Sequence, residues 1–310
     1  MNNVMATPKI SVILPSYNGE RYIAQSIQSI IDQTETDWEL IIVNDCSTDK
    51  TLQICEDFAK KDKRIHIVSN KINSKLPASL NIGFALAKGK YLTWTSDDNY
   101  YKSNALKNMS EYLDKHPKTD LVSMGFDFVD ENNNFMYSFE SCFKYKRCQP
   151  GLLLQCNVGA AFMYRKTIAD VVGEYDTYTF CAEDYDYWCR IALNGKIDYT
   201  TDNIYVYRMQ PNSLTATKQA QIQEKTKYIQ RKYAECFFDK FNFTLLDKSL
   251  FYSNVLNETY WASCYPAYKF IIKLMCCLIV YPKKLRHRIR ARLLNVDKYS
   301  FSQPNKENLI

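Results

Sequence analysis

The chain has 310 residues, 24% charged and 46% hydrophobic, with a formal net charge of +6 at pH 7. That is the make-up of a globular protein able to bury one large core or two modest ones. It holds neither a G-x-G-x-x-G dinucleotide loop nor a P-loop, and three histidines (His66, His116, His287) argue against a histidine-rich metal site.

In chain order, residues 10–14 (ISVIL) read as a buried strand ending at Pro15. Residues 20–33 place Ile23, Ile27, Ile30 and Ile31 at helical spacing. Residues 39–44 (ELIIVN) form a second buried strand, after which Ser47 or Asp49 can cap a helix carrying Leu52, Cys55 and Phe58. Residues 64–68 make a third strand, and Pro77 opens a helix where its missing N–H costs nothing. Residues 91–95 are the fourth strand, residues 103–116 a helix closed by Pro117, and residues 121–124 return to the sheet. Beyond residue 125 the pattern loosens, with Gly159-Ala160-Ala161, a helix over 183–193 and a long helix over 219–241. Strands alternating with helices imply an α/β fold with a mostly parallel, covered sheet.

Acids gather where such a sheet binds ligands, at strand C-termini. PSYNGE (15–20) follows the first strand, VNDCSTD (43–49) the second and TSDDN (95–99) the fourth, while AEDYDYWCR (182–190) opens a later helix. Each turn alone is explained by polar residues capping a helix; their convergence is not. Asp97 and Asp98 are adjacent and repel each other unless a cation or a donor-rich ligand lies between them. A divalent metal holding a phosphorylated substrate meets that need. The 11 cysteines are odd in number and form no C-x-x-C, so they read as reduced, buried thiols (Cys55, Cys189, Cys276) and not as a disulfide framework or zinc site. With no signal peptide visible, the expected location is cytosolic.

Taken in order and spacing, PSYNGERYIAQSIQSI, ELIIVNDCSTD, NSKLPASLNIGFALAKGKYLTW and EDYDYWCRI resemble the family 2 glycosyltransferases of GT-A fold over residues 9 to about 215. The resemblance implies a GT-A (Rossmann-like) sheet flanked by helices, with a helical C-terminal extension. Residues 1–218 would form the catalytic domain, its nucleotide-binding half about 9–125 and acceptor half about 126–218, and residues 219–310 the extension. It implies inverting transfer of one sugar from a nucleotide-diphosphate donor, most often UDP-linked, to a hydroxyl of a glycan or lipid-linked acceptor. Pro15, Ser16 and Tyr17 match nucleotide contacts, Asp45 the acid that accepts the base N–H, and Asn70 a second base contact. Asp97 would hold the ribose or the metal shell, Asp98 would ligate Mg²⁺ or Mn²⁺, and Arg208 would touch the diphosphate. Asp184 takes the place of the base that removes the acceptor proton, and Glu183 orients the acceptor.

The usual metal motif has an acid two residues before Asp97, where this chain has Thr95, and many relatives carry a histidine at Gln210. The implied metal is therefore weakly held, by Asp98, phosphates and water. Lys75 replaces a glycine and is either a diphosphate contact or a solvated surface charge. The Q-x-x-R-W signature of processive synthases is absent, so one sugar is expected per encounter. A second reading is a catalytically idle sugar-nucleotide-binding or scaffold subunit of a glycan-assembly complex.

Residues 266–282 are apolar but too short and too charged to span a bilayer, and residues 283–294 (KKLRHRIRARLL) align Leu285, Ile289 and Leu293 on one face amid arginines. Such a tail reads as peripheral binding to an anionic membrane, at the inner face of a bacterial cytoplasmic membrane, or else as a helix docked on the catalytic domain. No nucleic-acid fold accompanies the basic run, so nucleic acid is not an expected partner. In flotation with anionic liposomes, the full chain is expected to float and a chain lacking residues 266–310 to sediment. Equal flotation of both would remove the membrane reading.

Overall fold

The computed structural model describes residues 7–139, 148–244, 247–248 and 251–252. The basic tail and its apolar neighbour lie outside the described residues. Four strands, β1 (Ile10–Ser16), β2 (Trp38–Asn44), β3 (Ile65–Ser69) and β4 (Tyr91–Trp94), pair in parallel in the order β3-β2-β1-β4. β1 and β2 are buried at every position, which requires cover on both faces. Successive side chains of a strand point to opposite faces, and the core divides accordingly. Val12, Leu14, Leu40 and Ile42 join one buried cluster with Ile23 and Ile27 of α1 (Ile23–Ile31) and Cys55 of α2 (Thr51–Ala59). Ile13, Ile41 and Val43 join the other with Leu80 of α3 (Leu76–Leu86). Gly83 brings α3 close to β1, since a Cβ there would run into Ile13.

The sheet then changes direction. β4 pairs antiparallel with β8 (Phe162–Arg165), β8 antiparallel with β6 (Leu121–Val129), and β6 parallel with β9 (Ile197–Arg208). The two-residue β5 (Tyr100–Tyr101) pairs with β9, and β7 (Phe135–Phe139) pairs with β6. The return of residues 121–124 to the sheet is observed, but with β8 placed between β4 and β6. α4 (Ala105–Lys115) covers the α1 face with Leu106, Met109 and Leu113. The short helices α5 (Cys148–Gly151), α6 (Lys166–Val172) and α8 (Leu214–Thr217) serve as connections. α7 (Glu183–Asn194) lies on the α3 face, where Tyr185, Trp188 and Ile191 share a core with Ile229, Tyr233 and Phe237 of α9 (Gln219–Lys240).

Two local expectations are corrected. Lys50 stands at the N-cap position of α2, but its side chain makes no capping bond. The Asp49 carboxylate caps from one residue further out, accepting from Thr51 N–H, the first of the helix, at 3.0 Å, while the Ser47 hydroxyl accepts from Asn18 N–H at 3.0 Å and does not cap. Six cysteines are free: Cys55 and Cys189 are buried as expected, whereas Cys156 and Cys236 are exposed and Cys46 and Cys181 half-buried.

One buried ionic hub joins α7 to α9. Asp186 is wholly buried and accepts from Arg190 Nε at 2.8 Å, Lys232 Nζ at 3.0 Å and the Tyr233 hydroxyl at 2.9 Å. Lys232 also reaches Asp176 at 3.2 Å. Removing one partner of a buried ion pair leaves the other charge uncompensated. Asp186→Ala is therefore expected to cost about 3 kcal/mol of stability, read as a lower denaturant midpoint in chemical unfolding.

Candidate functional site

The four parallel strands end together at Ser16, Asn44, Ser69 and Trp94, and hydrogen bonds lace the loops beyond them. Asp45 N–H donates to Ser16 O at 2.8 Å, Asn70 N–H to Asn44 O at 2.9 Å and Thr95 N–H to Ile13 O at 3.0 Å. The buried Asp45 carboxylate accepts from Asn70 Nδ2 at 2.8 Å, Ser74 N–H at 2.7 Å and Lys75 N–H at 2.9 Å. Asp45, Asn70 and Lys75 are thus brought together, Lys75 through its backbone while its side chain is exposed. Three acceptances leave one of the roughly four carboxylate lone-pair sites open. Tyr17 is 50% exposed at this edge, whereas Pro15 and Ser16 are buried in β1.

Asn18, Cys46, Lys75 and Cys181 have φ of 54°, 64°, 71° and 80°. Non-glycine residues rarely adopt this region; Cys46 follows Asp45 and Cys181 precedes Glu183, while Asn18 and Lys75 stand in the loops after β1 and β3. Strain of this kind concentrates at functional sites.

Asp97 accepts from the Ser16 hydroxyl and the Tyr17 N–H. Burial and then the charge of Asp98 nevertheless push its pKa up to about 7. The loop over it has no room for a side chain, because a Cβ at Gly19 would collide with the Asp97 carboxylate. Burial also raises Asp98, against a hydrogen bond from Gln210 Nε2 and the charge of Arg208.

Arg208 differs from expectation. It is 1% exposed, and its guanidinium donates to Asp98 O at 2.9 Å and Gln25 Oε1 at 2.7 Å, stacked over Tyr22 at 4.3 Å. Its N–H donates to Asn99 Oδ1 at 2.8 Å. The fork suited to a diphosphate is directed into the protein and holds the 98–99 turn. Thr95 is buried, its hydroxyl hydrogen-bonded to that of Tyr205 at 2.7 Å.

Glu183 and Asp184 occupy the first turn of α7, where the helix dipole favours negative charge. Glu183 is buried and accepts from Cys181 N–H at 2.8 Å; the half-buried Asp184 accepts from Tyr185 N–H at 2.7 Å. Burial raises both, and the charge of Asp184 adds to the rise of Glu183. One phenol links this pair to the other: Tyr207 is raised by its burial and by the charges of both Asp98 and Asp184.

The model of the family described as glycosyl transferase family 2 matches residues 11–173. The chain belongs to that family. It is 30% identical over 246 residues to a glycosyltransferase of Haemophilus influenzae described as uncharacterized, covering 75% of each chain. Among solved structures, S. aureus TarS 1-349 in complex with UDP-GlcNAc matches with a TM-score of 0.62 and 19% identity, over 93% of this chain and 88% of that one. Against a longer TarS chain the match covers 39% of that chain. A mannosyltransferase from Pyrobaculum calidifontis, in complex with GDP-Man and Mn²⁺, matches with a TM-score of 0.59 and 17% identity, over 93% of this chain and 86% of that one. At these identities the structural likenesses establish the fold. The expected family and the GT-A architecture are borne out.

Within this glycosyltransferase, the roles of Gln25, Gln210 and Asp186 were not anticipated. Gln25 and Gln210 lie 183 and 112 residues from their partners, and no local pattern connects such pairs. Asp186 sat in a recognised acidic run, but only packing against α9 sets it apart from Asp184.

The raised Asp97 has a consequence for stability. A carboxylate raised in the folded state binds a proton there that the unfolded chain, with its pKa near 4, releases. The ligand-free protein should therefore lose stability as pH rises from about 4 to about 7. Asp97→Asn should flatten this slope and raise the thermal midpoint above pH 7, as scanning calorimetry across that range would register.

Proposed function

We propose that the protein is an inverting glycosyltransferase. It moves one sugar from a nucleotide-diphosphate donor, UDP-linked, to a hydroxyl of a glycan or lipid-linked acceptor. The supporting observation is the match of residues 11–173 to the glycosyl transferase family 2 model, with the Asp97–Asp98 turn just past the C-terminal end of β4 and the Glu183–Asp184 pair in the first turn of α7. The UDP-GlcNAc bound to TarS supports the donor class.

Tyr17 offers an exposed ring to the base, and the open acceptor site of Asp45, held by Asn70, takes the base N–H. Asp184 accepts the proton of the acceptor hydroxyl as its oxygen attacks the anomeric carbon; the C–O bond to the diphosphate breaks and its electron pair leaves with the nucleotide. A raised carboxylate is a stronger base than a solvated one, which suits this step. Glu183 orients the acceptor, and Arg208 acts from beneath as a positioning residue for Asp98. Lys75, exposed at the loop rim, reaches the outer phosphate.

The oxygen set at Asp97 and Asp98 fits a hard divalent cation, since both acids are raised in its absence. Among the described residues no three His, Cys, Asp or Glu side chains form a ligand cluster. Asp98, with Asp97 behind it, would therefore hold Mg²⁺ or Mn²⁺ jointly with donor phosphates and water. Bound there, the cation would offset the charge of the departing diphosphate. The Mn²⁺ of the structurally similar mannosyltransferase supports this.

The idle-subunit reading draws on the buried Thr95 and the inward-turned Arg208, and one assay separates the two. UDP release from UDP-GlcNAc with Mn²⁺ should fall at least ~10²-fold in Asp184→Asn while the thermal shift given by UDP-GlcNAc persists. The wild-type rate should fall on an acid limb above the ordinary carboxylate pKa of about 4, because the raised base must be unprotonated. A thermal shift with no release from the wild-type protein would favour the idle subunit.

A further inference from the structure

Between α6 and α7 the chain passes through a 3₁₀ turn, Thr177–Thr179, on its way to the acid pair. Its entry is fixed by α3: Asn81 Nδ2 donates to Tyr175 O at 2.9 Å, and Tyr175 N–H donates to Asn81 Oδ1 at 2.8 Å. The Tyr175 ring stacks on that of Tyr187 of α7 at 4.0 Å. Within the turn, the Asp176 carboxylate accepts from Tyr178 N–H at 2.9 Å, and Thr179 N–H donates to Asp176 O at 3.0 Å. Ala182 N–H then donates to Thr179 O at 2.8 Å. At the exit Cys181 has a φ of 80°, and its N–H donates to Glu183 Oε2 at 2.8 Å. The direction of that N–H follows from how the turn is held.

The hold comes from α9. Tyr228 and Lys232 lie three and seven residues beyond Lys225, on one face of the helix, and all three side chains meet the turn. Lys225 Nζ lies 3.6 Å from the centroid of the exposed Tyr178 ring, and Tyr228 meets the same ring edge-on at 5.1 Å. Lys232 Nζ is 3.2 Å from Asp176 Oδ2 and 3.0 Å from Asp186 Oδ1. One ammonium thus spans the start of the turn and the helix that carries the acids. Arg190 and Tyr233 hold Asp186 as well, whereas the bond to Asp176 acts on the turn.

We propose that α9 is the positioning element of the acid pair: Lys232, bridging Asp176 to Asp186, fixes the 3₁₀ turn in the shape in which Cys181 N–H meets Glu183. The inference rests on the glycosyltransferase reading and deepens it by naming two positioning residues, Lys232 and Asp176, that lie outside the pair. α9 itself lies beyond residues 11–173, the span matched by the family model. A plainer role for Lys232 is to stabilise α7 through Asp186 alone. Asp176→Asn separates the two. It leaves the bond from Lys232 to Asp186 in place and keeps an oxygen to cap the turn, yet removes the charge by which Lys232 grips the turn.

The test follows UDP release from UDP-GlcNAc with Mn²⁺ by the full chain, well below the thermal midpoint of every variant. Lys232→Met and Asp176→Asn should each lower kcat roughly tenfold or more, the scale of a misplaced catalytic group, with KM for UDP-GlcNAc unchanged. The double variant should fall no further than Lys232→Met, because both substitutions break the same bond. Lys232→Arg, whose several donors can span the same two carboxylates, should keep the wild-type kcat. Amide hydrogen exchange at residues 177–183 should quicken in both single variants. Wild-type kcat in Asp176→Asn, a loss confined to KM, or unchanged exchange overturns the positioning role, while release by the wild type upholds the parent reading. No release from the wild type overturns the parent reading, and this inference with it.

Discussion

Repulsion within two pairs of adjacent carboxylates, Asp97–Asp98 and Glu183–Asp184, is the constraint around which the site is built. Asp45, Asp97 and Asp98 lie in the loops after β2 and β4, Glu183 and Asp184 in the first turn of α7, and their hydrogen bonds come from neutral donors. Ser74 and Lys75 N–H groups hold Asp45, the Ser16 hydroxyl holds Asp97, the Gln210 amide holds Asp98, and the N–H groups of Cys181 and Tyr185 hold Glu183 and Asp184. Neutral donors fix geometry without discharging the acids. Desolvation without a counter-charge keeps a proton on an acid to higher pH, which raises the half-buried Asp97 and the buried Glu183.

Asp186 supplies the contrast within one helix. Two residues past Asp184, it faces α9 and is matched by Arg190, Lys232 and Tyr233. Charge on the packed side of α7 is thus compensated inside the protein, while Glu183 and Asp184 accept from the backbone N–H groups of Cys181 and Tyr185. The hub and the shared core of Trp188 with Phe237 anchor the helix that presents the acid pair. Arg208 does comparable work beneath β4, holding the backbone of Asp98 and the side chain of Gln25.

Most of the first half was legible in the sequence, because it is built from local rules. Continuous apolar strands, isoleucines at helical spacing and Pro77 at a helix start each report on a few neighbouring residues, and β1 to β4 and α1 to α4 fall close to their expected places. The acid turns were visible for the same reason, as parallel strands put their C-termini on one edge. What escaped depends on distant partners. β5 is two residues long and exists through β9; β8 enters between β4 and β6 from 68 residues beyond β4. The inward turn of Arg208 is set by Gln25, Tyr22 and the 98–99 carbonyl region, none of which its neighbours announce. Thr95, legible only as a missing ligand, is a tie to Tyr205.

These features bear on how donor and cation enter. A diphosphate brought to these acids would meet repulsion, and a cation that relieved it would compete with the proton that burial and Asp98 hold on Asp97, so its affinity would rise with pH. With Thr95 turned to Tyr205 and Gln210 already on Asp98, the protein alone offers too few oxygens to retain a cation that wants six or more ligands. Under the proposed function, donor phosphates would supply the remainder, and cation and donor would each raise the affinity for the other by the same factor, as linkage requires.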